Sequence, residues 1–284
     1  MSLSNELIWF GHRLDTQFNH IRLVYLSDLH YGNPYFAPHH LARTIEYIRI
    51  NDDVFAILNG DLIEAVVLGS KGDIYSQTVT PQMQKEDMID MLKPIAPKIL
   101  GMATGNHEAR IYDRCGTDSS RDIAKALNVP YRPEGMYNKI MFGDGNNRHV
   151  GKPFVFWSYC THGYGGARTK AAKAVKVERL STWAKADVYA MSHDHVVNVA
   201  PDVFIEPDER SHVDSKTGFL VGKAKARRKM LIKTNAYLKW GGYAEMGGFP
   251  PVDLCTPIVM LLTPKSDYWN MLPEKPSQAV KVIV

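Results

Sequence analysis

The sequence predicts an α/β fold built on a buried, largely parallel sheet, and three observations carry that prediction. β-Branched-rich apolar runs recur at 21–26, 54–58, 99–103, 154–160 and 188–191. Most of them are separated by stretches whose apolar residues repeat at helical spacing. After His195 the pattern changes to strand-like runs divided by turns, with no helical stretch among them. Strands alternating with helices imply crossover units and a covered sheet. The tail implies an antiparallel addition to that sheet, or a second sheet packed on the first.

Each element has its own signal. The run Ile21-Arg-Leu-Val-Tyr-Leu reads as a strand, and Leu41, Ile45 and Ile48 space a helix after it. A second strand spans 54–58. Pro81 suits a helix start, Met88, Met91, Leu92 and Ile95 form its apolar side, and Pro94 and Pro97 bend or stop it. The strand 99–103 ends in Gly105-Asn106, which reads as a polar turn. Ile123, Ala124 and Leu127 mark a further helix, as do Val177, Leu180 and Ala184 between the strands 154–160 and 188–191. Strands are expected at 196–204, 229–238 and 258–263. No repeat, low-complexity tract or linker interrupts the chain, so one domain is expected over 1–284, with a core at 21–200 and a strand-rich part at 201–284.

The bulk properties exclude little. The chain has 284 residues, 45% hydrophobic and 23% charged, with 34 basic and 30 acidic side chains and a net charge of +4. That mild excess neither requires nor forbids anionic partners. Cys115, Cys160 and Cys255 lack C-x-x-C spacing and read as reduced thiols. The N-terminus has no long apolar segment, and no apolar run is long enough to cross a bilayer. A cytoplasmic protein with no membrane partner is expected; the oligomeric state is not readable.

The chemistry lies where the strands end. The first run leads into Ser27-Asp28-Leu29-His30, the second into Asn59-Gly60-Asp61, and the third into Gly105-Asn106-His107-Glu108. The fourth leads into Thr161-His162-Gly163 and the fifth into Ser192-His193-Asp194-His195. Ligands of open α/β sheets sit beyond the carboxyl ends of the strands. Asp28, His30, Asp61, Asn106, His162, His193 and His195 are metal ligands by chemical type, and no cysteine cage accompanies them. They are too many for one ion with an open position, which points to two. A carboxylate such as Asp61 can bridge ions about 3.5–4 Å apart.

In order, D-x-H, G-D, G-N-H-E, H-G and H-x-H resemble the calcineurin-like metallophosphoesterase superfamily over Asp28 to His195. The resemblance implies a four-layer αββα sandwich, two mixed sheets face to face with helices outside. It implies one metal held by Asp28, His30, Asp61 and His195, and a second by Asp61, Asn106, His162 and His193. His107 then falls where that family stabilises the transition state or protonates the leaving group. Ser192 stands where the last element usually has glycine, and only a small local change is expected. Asp194 between the two histidines either orients an imidazole or faces solvent.

The implied reaction is hydrolysis of a phosphate ester by in-line attack of a hydroxide formed on two divalent ions, with Asp61 bridging and His107 donating to the leaving oxygen. Mixed N/O ligation favours Mn, Fe or Zn. Nucleases, protein phosphatases and cyclic-nucleotide phosphodiesterases all share these elements. A nuclease or phosphodiesterase acting on nucleic acid is slightly preferred to a phosphomonoesterase, and a non-catalytic metal-binding scaffold is the alternative of another class. Arg110 and Arg168 are candidates for the substrate phosphate. Lys170, Lys173, Lys176 and Arg179 share a helix face that is either solvated or a nucleic-acid stripe. The basic run 223–233 reads as a polar hairpin before it reads as a phosphate grip. The aromatic, Gly-rich segment 237–251 either rims the cleft or covers the open end of a sheet.

Overall fold

Buried strands carry apolar side chains on both faces, and here each face meets a different layer. In this computed structural model, which describes residues 8–70, 72–145, 152–167, 169–251, 253–272 and 279–284, the strands form two sheets. The first contains parallel β2 (His20–Leu26), β3 (Val54–Asn59) and β4 (Ile99–Ala103). It is extended antiparallel beside β2 by β10 (Ile258–Leu262) and then β11 (Ala279–Ile283). The second runs β1-β5-β6-β7-β9-β8, with β1 (Phe10–Arg13), β5 (Met136–Phe142), β6 (Phe154–Thr161), β7 (Val188–Met191), β8 (Asn198–Val213) and β9 (Leu220–Lys233). Its β6, β7 and β9 are parallel; β5 runs antiparallel to β6, and β8 to β9.

Period-two alternation sorts the core. Ile21, Leu23 and Tyr25 of β2, with Ile57 and Leu261, meet Ile140, Phe156, Val188 and Ile232 of the other sheet. The intervening Val24, Leu26, Ala56 and Leu58 face helices α1 (Pro38–Ile50), α2 (Pro81–Leu92) and α4 (Ser119–Leu127), through Leu41, Ile48, Met88, Leu92 and Ile123. On the far side, Tyr189, Met191 and Leu231 pack on Val177 and Leu180 of α5 (Lys170–Leu180). The layers are therefore helix, sheet, sheet, helix, an αββα sandwich of two mixed sheets. Thr80 caps α2 by accepting from Met83 N, Asp118 caps α4 through Arg121 N, and Pro94 and Pro97 close α2 as a short 3-10 turn. Two four-residue helices, α6 (Tyr243–Met246) and α7 (Asp267–Asn270), lie in the tail.

The five apolar runs are strands, divided three and two between the two mixed sheets that the resemblance implied. Two expectations need correction. Residues after Gly105 do not continue as a turn: Asn106–Cys115 is helix α3, ended by left-handed Gly116. The strand expected at 229–238 stops at Lys233, because the chain leaves β7 to run beneath Asp28, where Tyr237 N donates to Asp28 O at 2.9 Å. β1 and β5 were not anticipated. Among the described residues no helix is long and apolar enough to cross a membrane.

Candidate metal centre

The five strand ends point to the same edge of the sandwich, three from one sheet and two from the other. There the backbone is forced into an unusual conformation. Asp28, His30, Asp61, His193 and His195 all have φ between 50° and 71°. Left-handed backbone costs a non-glycine residue about 1–3 kcal/mol, and it persists where the surroundings impose it. Only two other non-glycine residues among those described share it, Ala65 and Asn128.

The imposition is visible in the hydrogen bonds. Glu108, in the first turn of α3 and 1% exposed, accepts from the N–H groups of Asp61, Leu62, Ile63 and Gly105 at 2.6–3.2 Å. One carboxylate thus shapes the turn that presents Asp61. Gly105 is required by space: a Cβ there would lie 2.1 Å from both Asp61 N and Asp61 Oδ1. Asp61 Oδ1 accepts from His107 N at 2.8 Å, which leaves Oδ2 for the cluster. Asn59, the last residue of β3, donates through Nδ2 to Thr161 O and Ser192 Oγ, joining the two sheets at this edge.

Two groups of ligand atoms converge. In one, His162 Nε2 lies 3.1 Å from Asp61 Oδ2, 3.1 Å from Asn106 Oδ1 and 3.3 Å from His193 Nδ1. His162 Nδ1 is occupied with Asn59 O at 2.9 Å, and His193 Nε2 with Gly165 O at 2.6 Å. With those nitrogens donating, two imidazole lone pairs, a carboxylate oxygen and an amide oxygen all face one point. Donors sharing an ion at about 2.0–2.2 Å stand about 3 Å apart, so the spacing of this set fits a cation, which would take the place of a proton on His162 Nε2. In the other group, His30 Nε2 lies 3.1 Å from His195 Nε2, which lies 3.2 Å from Asp28 Oδ1. Asp61 Oδ2, 3.9 Å from His30 Nε2, stands between the groups. Both clusters have the composition and spacing to hold metal ions.

Charge agrees with geometry. Burial raises the Asp28 carboxyl, but His195 and His162 outweigh it and hold Asp28 at about 2. Asp61 is likewise held well below the ordinary range, burial being overcome by His162, His107 and His30. Burial lowers His162, yet Asp61 and Asp28 push it up to about 10. In His107 burial wins, lowering it to about 4 against the pull of Asp61.

All seven expected ligands are brought together here. His107 is beside them, with Nδ1 on Glu64 O at 2.6 Å and Nε2 3.8 Å from Asp61 Oδ2. Arg110, one turn along α3, places Nη2 3.0 Å from His107 Nε2. Arg168 lies outside the described residues.

Sequence reasoning missed Glu64, whose carboxylate bonds His30 Nδ1 at 3.1 Å and so turns His30 Nε2 toward the cluster. Its signal was weak, an acid three residues after Asp61. It also mistook Asp194, which neither faces solvent nor touches an imidazole. Its side chain is 2% exposed and held by Lys176 Nζ on Oδ1 and Lys233 Nζ on Oδ2, both at 2.6 Å. Lys233 also donates to Ser192 O at 2.6 Å, and Lys173 to Asp194 O at 2.8 Å. Lys173 and Lys176 are therefore turned into the motif, with Lys170 and Arg179 left exposed. Ser192 needs no left-handed backbone; its buried hydroxyl accepts from Asn59 and Thr234.

The basic run 223–233 lies on β9, the second arm of a long hairpin. Its charges meet the acids of β8 and Asp187: Lys225 with Asp208, Arg227 with Asp187 and Glu206, Lys229 with Asp202. In the aromatic segment Tyr237 is core, its hydroxyl bonded to Thr256, and Trp240 is 45% exposed with Nε1 on Phe249 O.

No family model matches the chain. No curated protein matches it. Among solved structures it is similar to a metallophosphoesterase from Sphaerobacter thermophilus, at 13% identity over 84% of this chain and 83% of that one, TM-score 0.38. It is also similar to the Pseudomonas putida nuclease MPE, at 12% identity over 92% and 87%, TM-score 0.34. A third is Vps29 of Chaetomium thermophilum, at 9% identity over 93% and 95%, TM-score 0.35.

Proposed function

We propose that this protein hydrolyses phosphate esters with two divalent ions. One ion would be held by Asp28, His30, Asp61 and His195, the other by Asp61, Asn106, His162 and His193. The observation that carries the reading is the convergence of Asp61 Oδ2, Asn106 Oδ1 and His193 Nδ1 on His162 Nε2, with the remaining nitrogens of these two imidazoles already committed to carbonyls. When bound, such ions supply a water acidic enough to ionise near neutral pH and positive charge for phosphoryl oxygens. Mn, Fe or Zn suits the mixed donors.

The chain's own residues do the rest. Asp61 Oδ2 is shared between the two clusters, and Glu108 fixes its backbone. Glu64 fixes the tautomer of His30. Arg110 is the phosphate contact on α3, and its guanidinium now rests on His107 Nε2 at 3.0 Å. A phosphate that draws Arg110 toward itself frees the Nε2 lone pair to take up a proton, which His107 can then pass to the leaving oxygen. The preference for nucleic acid loses the support of the lysines, since Lys173, Lys176 and the hairpin are engaged with the protein's own acceptors.

Equilibrium dialysis with elemental analysis should find two Mn²⁺ per chain, and Asp61→Asn should weaken both sites together. His107→Asn should keep the metals and lose most turnover on a chromogenic monoester or diester, about 10²–10⁴-fold for a lost acid–base group. Tight binding of two ions by Asp61→Asn would refute the bridging role. Full activity in the presence of chelator would refute the proposal.

A further inference from the structure

The cavity beside the second cluster presents guanidinium donors that the cluster itself does not use. It is an open cleft of about 380 Å³ lined by Asn106, Ser70, Arg110, Asp113 and Arg114, the last two exposed. Arg110 and Arg114 are four apart on α3 and so lie on one face, displaced along the helix by about 6 Å. Arg110 spends Nη2 on His107, while its Nη1 is buried and has no acceptor among the described residues. A buried guanidinium N–H without a partner is a donor waiting for an anion, because burial removes the water that would satisfy it. Arg114 is steadied by one bond, Nη2 to Gly69 O at 2.8 Å, and its remaining donors are uncommitted among the described contacts. Asp113 leaves the lining with a net charge of +1.

We propose that this cavity is a subsite for a second phosphate, so that the preferred substrates carry a phosphate next to the one cleaved. The inference rests on the phosphoesterase reading above and narrows its substrate class. Asn106 belongs to both places: its amide oxygen faces the cluster, and its residue lines the cavity. A substrate phosphate at the ions therefore has the arginine pair as its immediate neighbour. The step between the two arginines is of the order of the spacing between successive phosphates of a nucleic-acid strand. It also suits two phosphates on one small molecule.

The test compares substrates with one and two phosphates at saturating Mn²⁺. One arm uses a dinucleotide bearing a terminal phosphate on the 5′ side, on the 3′ side, or on neither. The other uses a sugar bisphosphate against the monophosphate. The second phosphate should lower KM about tenfold in at least one arm, and that arm identifies the source. Arg114→Gln should abolish this gain while leaving turnover of a chromogenic single-phosphate ester unchanged, and Arg114→Lys should restore part of it. Independently of turnover, calorimetry on the metal-free protein should show inorganic diphosphate binding weakened about tenfold by Arg114→Gln. Equal KM with and without the second phosphate, in a protein that hydrolyses the chromogenic ester, would overturn the subsite alone. Absence of any metal-dependent hydrolysis would sink the reaction instead, and the calorimetry would still decide the subsite: unchanged diphosphate binding in Arg114→Gln overturns it.

Discussion

Lys233→Met removes one charge from the least accessible ion cluster described in the protein. Lys233 is fully buried, and its Nζ lies 2.6 Å from Asp194 Oδ2 and 2.6 Å from Ser192 O. Methionine matches its length but offers neither the charge nor the donor. Breaking a buried pair by removing one partner costs about 3–5 kcal/mol. Asp194 keeps Lys176 at 2.6 Å, so the lower end applies, about 3 kcal/mol. For a chain of this size that is a fall in Tm of roughly 6 °C. The loss is local, because Ser192 and Asp194 bracket His193 and interleave with His195. Scanning calorimetry should show the fall, and dialysis should show weaker metal binding. Asp194→Asn should do more harm, since it leaves Lys176 and Lys233 facing each other without a counter-charge. A Lys233→Met protein melting within ~1 °C of the wild type, with both ions bound as tightly, would refute the claim that this network holds the turn.

Glu108→Gln keeps the shape but leaves one acceptor oxygen for four N–H groups; the cost should be about 2–4 kcal/mol in denaturant unfolding, with loss of metal at Asp61. Gly105→Ala drives a methyl into Asp61 N and Oδ1, and should lose ions in elemental analysis while destabilising the fold by about 1–3 kcal/mol. Asp53 gives a pH test away from the site. Burial raises its carboxyl, but hydrogen bonds from His20 and Arg22 outweigh that and hold it below the ordinary range. A depressed folded value means the contribution is complete above about pH 4 and lost as the pH falls further. Asp53→Asn should therefore melt lower than the wild type at pH 6, with the gap closing in acid. A gap that does not change with pH would exclude the ion pair as its cause.

Much of the candidate site was legible because each of its pieces is local. An apolar run followed by Asp-Leu-His, Gly-Asp or His-Asp-His can be read without knowing what lies next to it, and strand direction alone sends all such ends to one edge. The resemblance to the metallophosphoesterases added the pairing of ligands. Other elements carry weak local signals. Helix α3 has only Glu108 fully buried, so no apolar stripe announces it. β5 is bounded by no motif. Glu64 acts through the space between His30 and His107, which lie far apart in the chain.

The sequence by itself determined the strand ends, the chemical type of their ligands and the helices that carry an apolar stripe, since these depend on residues within one or two turns. Tertiary structure alone decided which strand joins which sheet, because β2 and β6 look alike until their neighbours are known. It also decided the fate of the basic residues. Helical spacing puts Lys173 and Lys176 on one face, but only the packing of α5 against the His193–His195 turn makes that face a grip on Asp194. A lysine's charge is a local property, whereas the partner that neutralises it is supplied by the fold.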